Sequence, residues 1–224
     1  MPLTRIPAGC RLLAALALAC PLAAAAAAAQ QEELPPKFEL SPYGGVFVGA
    51  DLYANAAGTP VRVDSKGALG GRLTWNVSPS FGLEGSWFRT VPTLDAPSTT
   101  LPGTRQRLGS LALNLFDLTA FFAYASPREG IYFSLGAGVA RLAPAFDGAT
   151  AGTDARPLFT AGLAYKRFFG GPIGVRVDLR YHGLYTNRAT DIGILCGGTT
   201  GCYVYDGRKI TSTAELSAGV VLRP

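Results

Sequence analysis

The 224-residue sequence predicts an all-β chain, an eight-stranded antiparallel up-and-down transmembrane β-barrel with short periplasmic turns and long extracellular loops. Three observations carry this. Eight segments alternate apolar and polar residues with period two, the connections between them alternate long and short, and aromatic residues crowd toward the segment ends. Period-two alternation marks a strand, because successive side chains leave a pleat on opposite sides. The clearest segment runs from Pro172 to Thr186. There Ile173, Val175, Val177, Leu179 and Tyr181 form one face, while Gly174, Arg176, Asp178, Arg180 and His182 form the other. A soluble sandwich would expose that charged face, whereas a membrane barrel turns it into the lumen and gives the apolar row to lipid. The remaining observations separate the two.

Composition narrows the class first. With 16 % charged residues, 28 glycines and 10 % aromatics, the chain is too rich in glycine for a helical bundle and too apolar for disorder. Arg5 and Arg11 precede an apolar run from Leu12 to Ala29, interrupted by Pro21, which reads as a secretory signal over residues 1–29. A membrane-spanning helix is the competing reading, disfavoured by Pro21 and the poly-alanine tail. Lipoprotein processing at Cys20 is another, although Leu18 stands one place from where a lipobox needs it. Losing Arg5 and Arg11 with the leader lowers the formal charge from +5 to about +3, too little for a nucleic-acid partner. No later run is long and apolar enough for a transmembrane helix, so a membrane location requires a closed barrel.

In chain order, residues 30–37 are polar and proline-containing and predict a flexible lead-in to a barrel over 38–224. The first strand spans Phe38 to Tyr53, with Val46, Val48, Ala50 and Leu52 opposite Tyr43, Phe47 and Asp51. The second, Gly67 to Val77, sets Leu69, Leu73, Trp75 and Val77 against Arg72, Thr74 and Asn76. Ser78-Pro79-Ser80 makes a tight turn into the third, Phe81 to Arg89, where Phe81, Leu83 and Trp87 oppose Glu84 and Ser86. The fourth, Arg107 to Ala125, is apolar on both faces in places. Its best parity puts Phe116, Leu118, Phe122 and Tyr124 outside and Asp117 and Thr119 inside. The fifth, Gly130 to Leu142, sets Ile131, Phe133, Leu135 and Val139 against Tyr132, Ser134, Gly136 and Gly138. The sixth, Arg156 to Phe169, opposes Phe159, Leu163 and Tyr165 to Thr160, Gly162 and Lys166. Gly170-Gly171 leads into the seventh, the Pro172 segment, and the eighth spans Lys209 to Arg223, with Leu216, Val220 and Leu222 opposite Thr213, Glu215, Ser217 and Gly219.

The connections 54–66, 90–106, 143–155 and 187–208 are long and polar, and the three between them are short. Outer-membrane barrels sort their loops this way, whereas soluble barrels such as lipocalins have no reason to. Trp75, Phe81, Phe122, Tyr124, Tyr132, Phe133, Phe168 and Phe169 lie near the short turns, and Trp87, Phe88, Tyr181 and Tyr185 near the long loops. Two such bands predict the aromatic girdles of the two membrane interfaces.

On these segments, above all Gly67 to Arg89 (GALGGRLTWNVSPSFGLEGSWFR) and the VRVDLRYHG of strand seven, the chain resembles the small OmpA- and OmpX-like outer-membrane β-barrels over Phe38 to Pro224. The resemblance implies the outer membrane as location. It implies outer-membrane lipid and lipopolysaccharide, the outer-membrane assembly machinery, and an extracellular ligand or host surface met by the loops as partners of a monomer. Two departures stand out. No peptidoglycan-binding domain is expected beside the barrel, and the sequence reads Leu222-Arg223-Pro224 where such barrels usually end in an aromatic residue.

Eight strands enclose a space only wide enough for side chains to fill. Parity places Asp51, Arg72, Glu84, Asp117, Lys166, Arg176, Asp178, Arg180 and Glu215 in it, four positive charges and five negative. Near-balance predicts a plug of paired charges; a small pore or gated channel is the alternative. For pairing, the expectation is Glu215 with Arg176 or Arg180, and Asp178 with Lys166 or an arginine of its own strand. A lipid-modifying enzyme is the third reading. A lipid A deacylase of the PagL type needs a serine two places after a strand histidine, and this chain has Leu184 after His182, which reads as an ordinary rim residue. No metal-ligand spacing, cofactor fingerprint or nucleophile constellation appears, so no enzyme, metal or cofactor is predicted. Cys196 and Cys202 flank five residues of the longest loop and predict a disulfide in an oxidising compartment. The function expected is a structural or adhesin-like surface role with a plugged lumen.

Overall fold

The structure, a computed structural model, describes residues 37–55, 60–98, 104–125, 129–146, 149–150, 152–185, 195–197, 201–205 and 210–224. The predicted leader and residues 30–36 lie outside these. Fourteen strands follow in chain order among the described residues: β1 (Phe38–Val48), β2 (Asp51–Asn55), β3 (Pro60–Val63), β4 (Lys66–Asn76), β5 (Phe81–Thr90), β6 (Thr93–Pro97), β7 (Arg105–Ala125), β8 (Glu129–Phe146), β9 (Ala149–Thr150), β10 (Asp154–Phe168), β11 (Ile173–Tyr185), β12 (Leu195–Gly197), β13 (Gly201–Tyr205) and β14 (Ile210–Leu222). Eight of them, β1-β4-β5-β7-β8-β10-β11-β14, form a ring of antiparallel neighbours, closed where β1 pairs with β14. These are the eight strands predicted, with ends shifted by a few residues.

Closure follows from the pattern. Between the rims the outward rows are apolar and the inward rows carry polar groups, so each ladder of the ring buries its backbone bonds in the wall and leaves no edge. Leu73, Leu118, Phe122, Ile173, Leu179 and Leu216 are exposed on the outside, in the belt that lipid covers. Their strand neighbours Arg72, Asp117, Asp178, Arg180 and Glu215 are buried within. Two short turns are set locally. Val77 and Ser78 N–H both donate to the Phe81 carbonyl, at 3.1 and 2.9 Å, and Gly170 adopts φ +84°, a left-handed conformation that favours glycine.

Three features depart from the sequence expectation. The long connections contain strands: β6, β3, β2, β13 and β12 pair in succession on the edge of β7 above the point where β5 ends, building a sheet that extends the wall at the long-loop end. Next, parity is not kept along whole strands. In β7, Leu111, Leu113 and Leu115 point inward but so does Leu108, because the β6–β7 register slips between Leu94 and Asp95, opposite Gly109 at φ +155°. That slip and an apolar interior are why this segment looks apolar on both faces. Finally, Phe88, Tyr132 and Phe168 are not girdle residues. Phe88 and Phe168 are buried in the lumen and Tyr132 faces it, since each has the parity of the inward row.

Candidate functional site

The lumen is filled in layers, and the middle layer is ionic. Arg72 on β4, Glu84 on β5, Asp117 on β7, Arg176, Asp178 and Arg180 on β11, and Glu215 on β14 converge there, each almost fully buried. Convergence is a product of register: Arg180 lies opposite Glu215, Asp117 opposite Ser86, and Thr74 opposite Glu84. Glu84 is the hub. It accepts hydrogen bonds from Arg176 and from Arg180, and Thr74 Oγ1 donates to it at 2.9 Å. Asp178 accepts from Arg176 Nη2 at 2.6 Å and from Arg72 Nη1 at 3.2 Å. Arg180 Nη1 stands 3.5 Å from Asp117.

Glu215 pairs with Arg72, at 2.7 Å, and not with Arg176 or Arg180 as expected from the β11–β14 ladder. Arg72 lies two strands away, beyond β1, yet crosses the lumen because β1 offers it the face of Tyr43, with the guanidinium 3.6 Å from the ring centroid. Tyr43 in turn needs the inward Gly70, since a Cβ at that position would lie 2.6 Å from the tyrosine hydroxyl. Ser217 completes the group, donating to Glu215 at 2.6 Å and accepting from Arg72 at 3.0 Å. Asp178 does pair with an arginine of its own strand, not with Lys166.

Lys166 belongs to a second layer nearer the short turns. Its ammonium donates to Glu39 at 2.7 Å and lies 4.3 Å above the Tyr132 ring. Arg223 reaches the same carboxyl at 3.4 Å and covers the ring of Phe168 at 3.2 Å. Glu39 and Arg223 were not among the predicted lumen charges, although the parity of Leu40 and Leu222 on the outer face would have found them. Asp51 does not join either group. Gly49 and Ala50 interrupt the ladder, parity flips, and Leu52 rather than Asp51 is the buried residue of β2.

His182 is buried in the lumen instead of standing at the rim. Its Nδ1 lies 3.3 Å from Thr160 Oγ1, its Nε2 3.3 Å from Glu215, and Phe88 packs on the ring with centroids 6.2 Å apart. Leu184, two residues on, is part of the third layer. That layer is predominantly apolar: Phe47, Phe88, Leu113, Leu115, Leu142 and Leu184 fill the barrel toward the long loops, continuous with Leu52, Val61, Val63 and Leu94 of the sheet above. A void of about 10 Å³ among them has room for one water at most.

The backbones of Cys196 and Cys202 lie directly opposite each other across the β12–β13 hairpin. Their side chains are outside the described residues. Asp64 and Asp95, at the base of the extension, share a proton-dependent contact. Desolvation pushes the Asp64 carboxyl up, but hydrogen bonds from Asp95 and Thr93 and the charge of Arg62 outweigh it and hold it below the ordinary value. Desolvation, then the bond to Asp64 and its charge, push Asp95 above the ordinary value.

No protein-family model matches the chain, and no curated protein matches its sequence. Solved structures do match its fold. Neisserial surface protein A superimposes with a TM-score of 0.52 at 9 % identity, over 84 % of this chain and 97 % of that one. The outer membrane protein OprG from Pseudomonas aeruginosa gives 0.58 at 12 % identity, over 85 % and 98 %. Identities this low speak for the fold alone. With its closed ring and lipid-facing belt, the chain has the fold of the small outer-membrane β-barrels, an eight-stranded transmembrane barrel.

Proposed function

We propose that this protein is a non-conducting outer-membrane barrel that acts structurally and through its long-loop surface. The observation that supports it is double closure of the lumen: a buried ionic layer, and above it an apolar layer continuous with the extension. Ions cross neither at low cost, because the charges are already paired and the apolar layer offers no partner for a stripped ion. The sheet built from the long connections is a broad, folded surface at the outer end, the place where a ligand or host surface would be met. A buried, fully engaged His182 with Leu184 beyond it argues against the lipid-enzyme reading. In planar bilayers the purified barrel should add no discrete conductance steps at neutral pH. Regular steps that persist when residues 186–194 are deleted would overturn the reading in favour of a pore.

A further inference from the structure

The outer wall carries a feature the sealed lumen does not use. On the lipid-facing side of β4, β5, β7 and β8, a groove of about 610 Å³ opens between Leu73, Trp87, Phe116 and Leu118, and its floor is formed at the outward glycines Gly71 and Gly85. A Cβ at either glycine would touch nothing within 4 Å, so the depression is real space on the belt and not a packing requirement. Its volume falls in the range of ligand sites.

Directly above it toward the long loops, register puts Arg89, Asn114 and Arg141 in one row across β5, β7 and β8. Arg89 follows Trp87 by two residues, about 7 Å along the strand, and the two arginines stand about 10 Å apart across two strand spacings. Both are exposed, and among the described residues neither has an ion-pair partner. Their ladder neighbours, Leu69, Asn114 and Ala155, bring no acid. The opposite rim is built otherwise: there the outward Arg167 faces Glu129 across the β8–β10 ladder. An arginine pair without carboxylates, at the edge of an apolar belt, is suited to phosphate, which guanidinium binds in a fixed fork geometry.

We propose that this groove and row form a lipid site: an acyl chain lies over Gly71 and Gly85, and a phosphate of the same lipid is held by Arg89, Arg141 and the Asn114 amide. The occupant is a phosphorylated, multiply acylated lipid of the outer leaflet. The site rests on the membrane-spanning reading and not on the sealed lumen, so a barrel found to conduct would leave it standing.

The test is native mass spectrometry of the full barrel in detergent, titrated with bisphosphorylated lipid A and with its dephosphorylated form. The wild-type protein should bind one phosphorylated lipid about tenfold tighter than the other, the factor that one charge-assisted hydrogen bond supplies. Arg89→Gln with Arg141→Gln should abolish that preference while keeping weak binding of both lipids. Gly85→Leu, which has open space to fold into, should weaken both by about tenfold, a few buried methylenes' worth. Arg62→Gln with Arg167→Gln, away from the groove, should change neither. A double glutamine variant that keeps the wild-type preference for the phosphorylated lipid, an equal loss in the control, or a Gly85→Cys barrel that cross-links to a second copy in place of retaining lipid would overturn the site.

Discussion

The two closures of this lumen achieve the same end with opposite chemistry. In the ionic layer, Glu84, Asp117, Asp178 and Glu215 are set against Arg72, Arg176 and Arg180, and each partner depends on the others to stay buried. In the apolar layer, Phe47, Phe88, Leu113, Leu115 and Leu184 need only volume and shape. Buried ion networks are weak sources of net stability but severe when broken, whereas apolar packing contributes directly and fails in proportion to the cavity left. The ionic layer therefore fixes which strands meet in which register, and the apolar layer ties the ring to the sheet above it.

That contrast is most sharply tested at the hub. Glu84→Ala leaves Arg176 and Arg180 short of a carboxylate in a dry interior and should cost about 3–5 kcal/mol. The heat-modifiable folded fraction and a urea titration read this loss, and Glu84→Gln should recover part of it by keeping acceptors. If Glu84→Ala costs less than about 1 kcal/mol and the loss shrinks with salt, the layer is wet.

Leu115→Ala, in the apolar layer, should cost somewhat less, about 2–4 kcal/mol, with no dependence on ionic strength. A salt-dependent loss there would mean that the two layers are not chemically separate. Glu215→Ala should be milder than the hub substitution, at about 1–3 kcal/mol, since Arg72 keeps Asp178 and the Tyr43 ring. The same urea titration ranks all three, and Glu215→Ala exceeding Glu84→Ala would move the hub.

Smaller effects belong to the extension. For Asp95, a raised folded pKa means that stability is present at low pH and is lost as pH rises above the ordinary carboxylate value. For Asp64, a lowered one means that stability is present above that value and is lost as pH falls through the folded pKa. The extension should thus be tightest near pH 4, where one proton bridges the pair. Hydrogen exchange of β3 and β6 amides, corrected for intrinsic rates, should be slowest there, and a flat profile would dissociate the two residues. Last, Cys196→Ser with Cys202→Ser should leave the ring's unfolding midpoint unchanged and speed proteolysis of the β12–β13 hairpin alone. Two free thiols in protein isolated from the membrane would remove the premise.

How legible the molecule is from its sequence differs by layer. Arg72, Glu84, Asp117, Arg176, Asp178, Arg180 and Glu215 could be assigned to the lumen because each sits between two apolar or glycine neighbours, on a cleanly alternating strand for all but Asp117. The partner choice could not, because Arg72 reaches Glu215 across the lumen over Tyr43 rather than along a ladder. The apolar layer was hidden for a related reason: Leu111, Leu113 and Leu115 alternate with Ala112, Asn114 and Phe116, a contrast too weak to tell wall from interior.

The sequence by itself determined the strands of the ring, their order and which face meets lipid, because a period of two is a local property of the pleat and a closed wall leaves one consistent solution. Only the tertiary structure decided that the long connections fold into a sheet, that Gly49-Ala50 and the slip at Gly109 switch parity, and that the lumen is charged in one part and apolar in the next. Each of those depends on which residues meet in space, and short loop strands such as Asp51–Asn55 and Thr93–Pro97 take their partners from other connections and from the end of β7, which their own periodicity does not reveal.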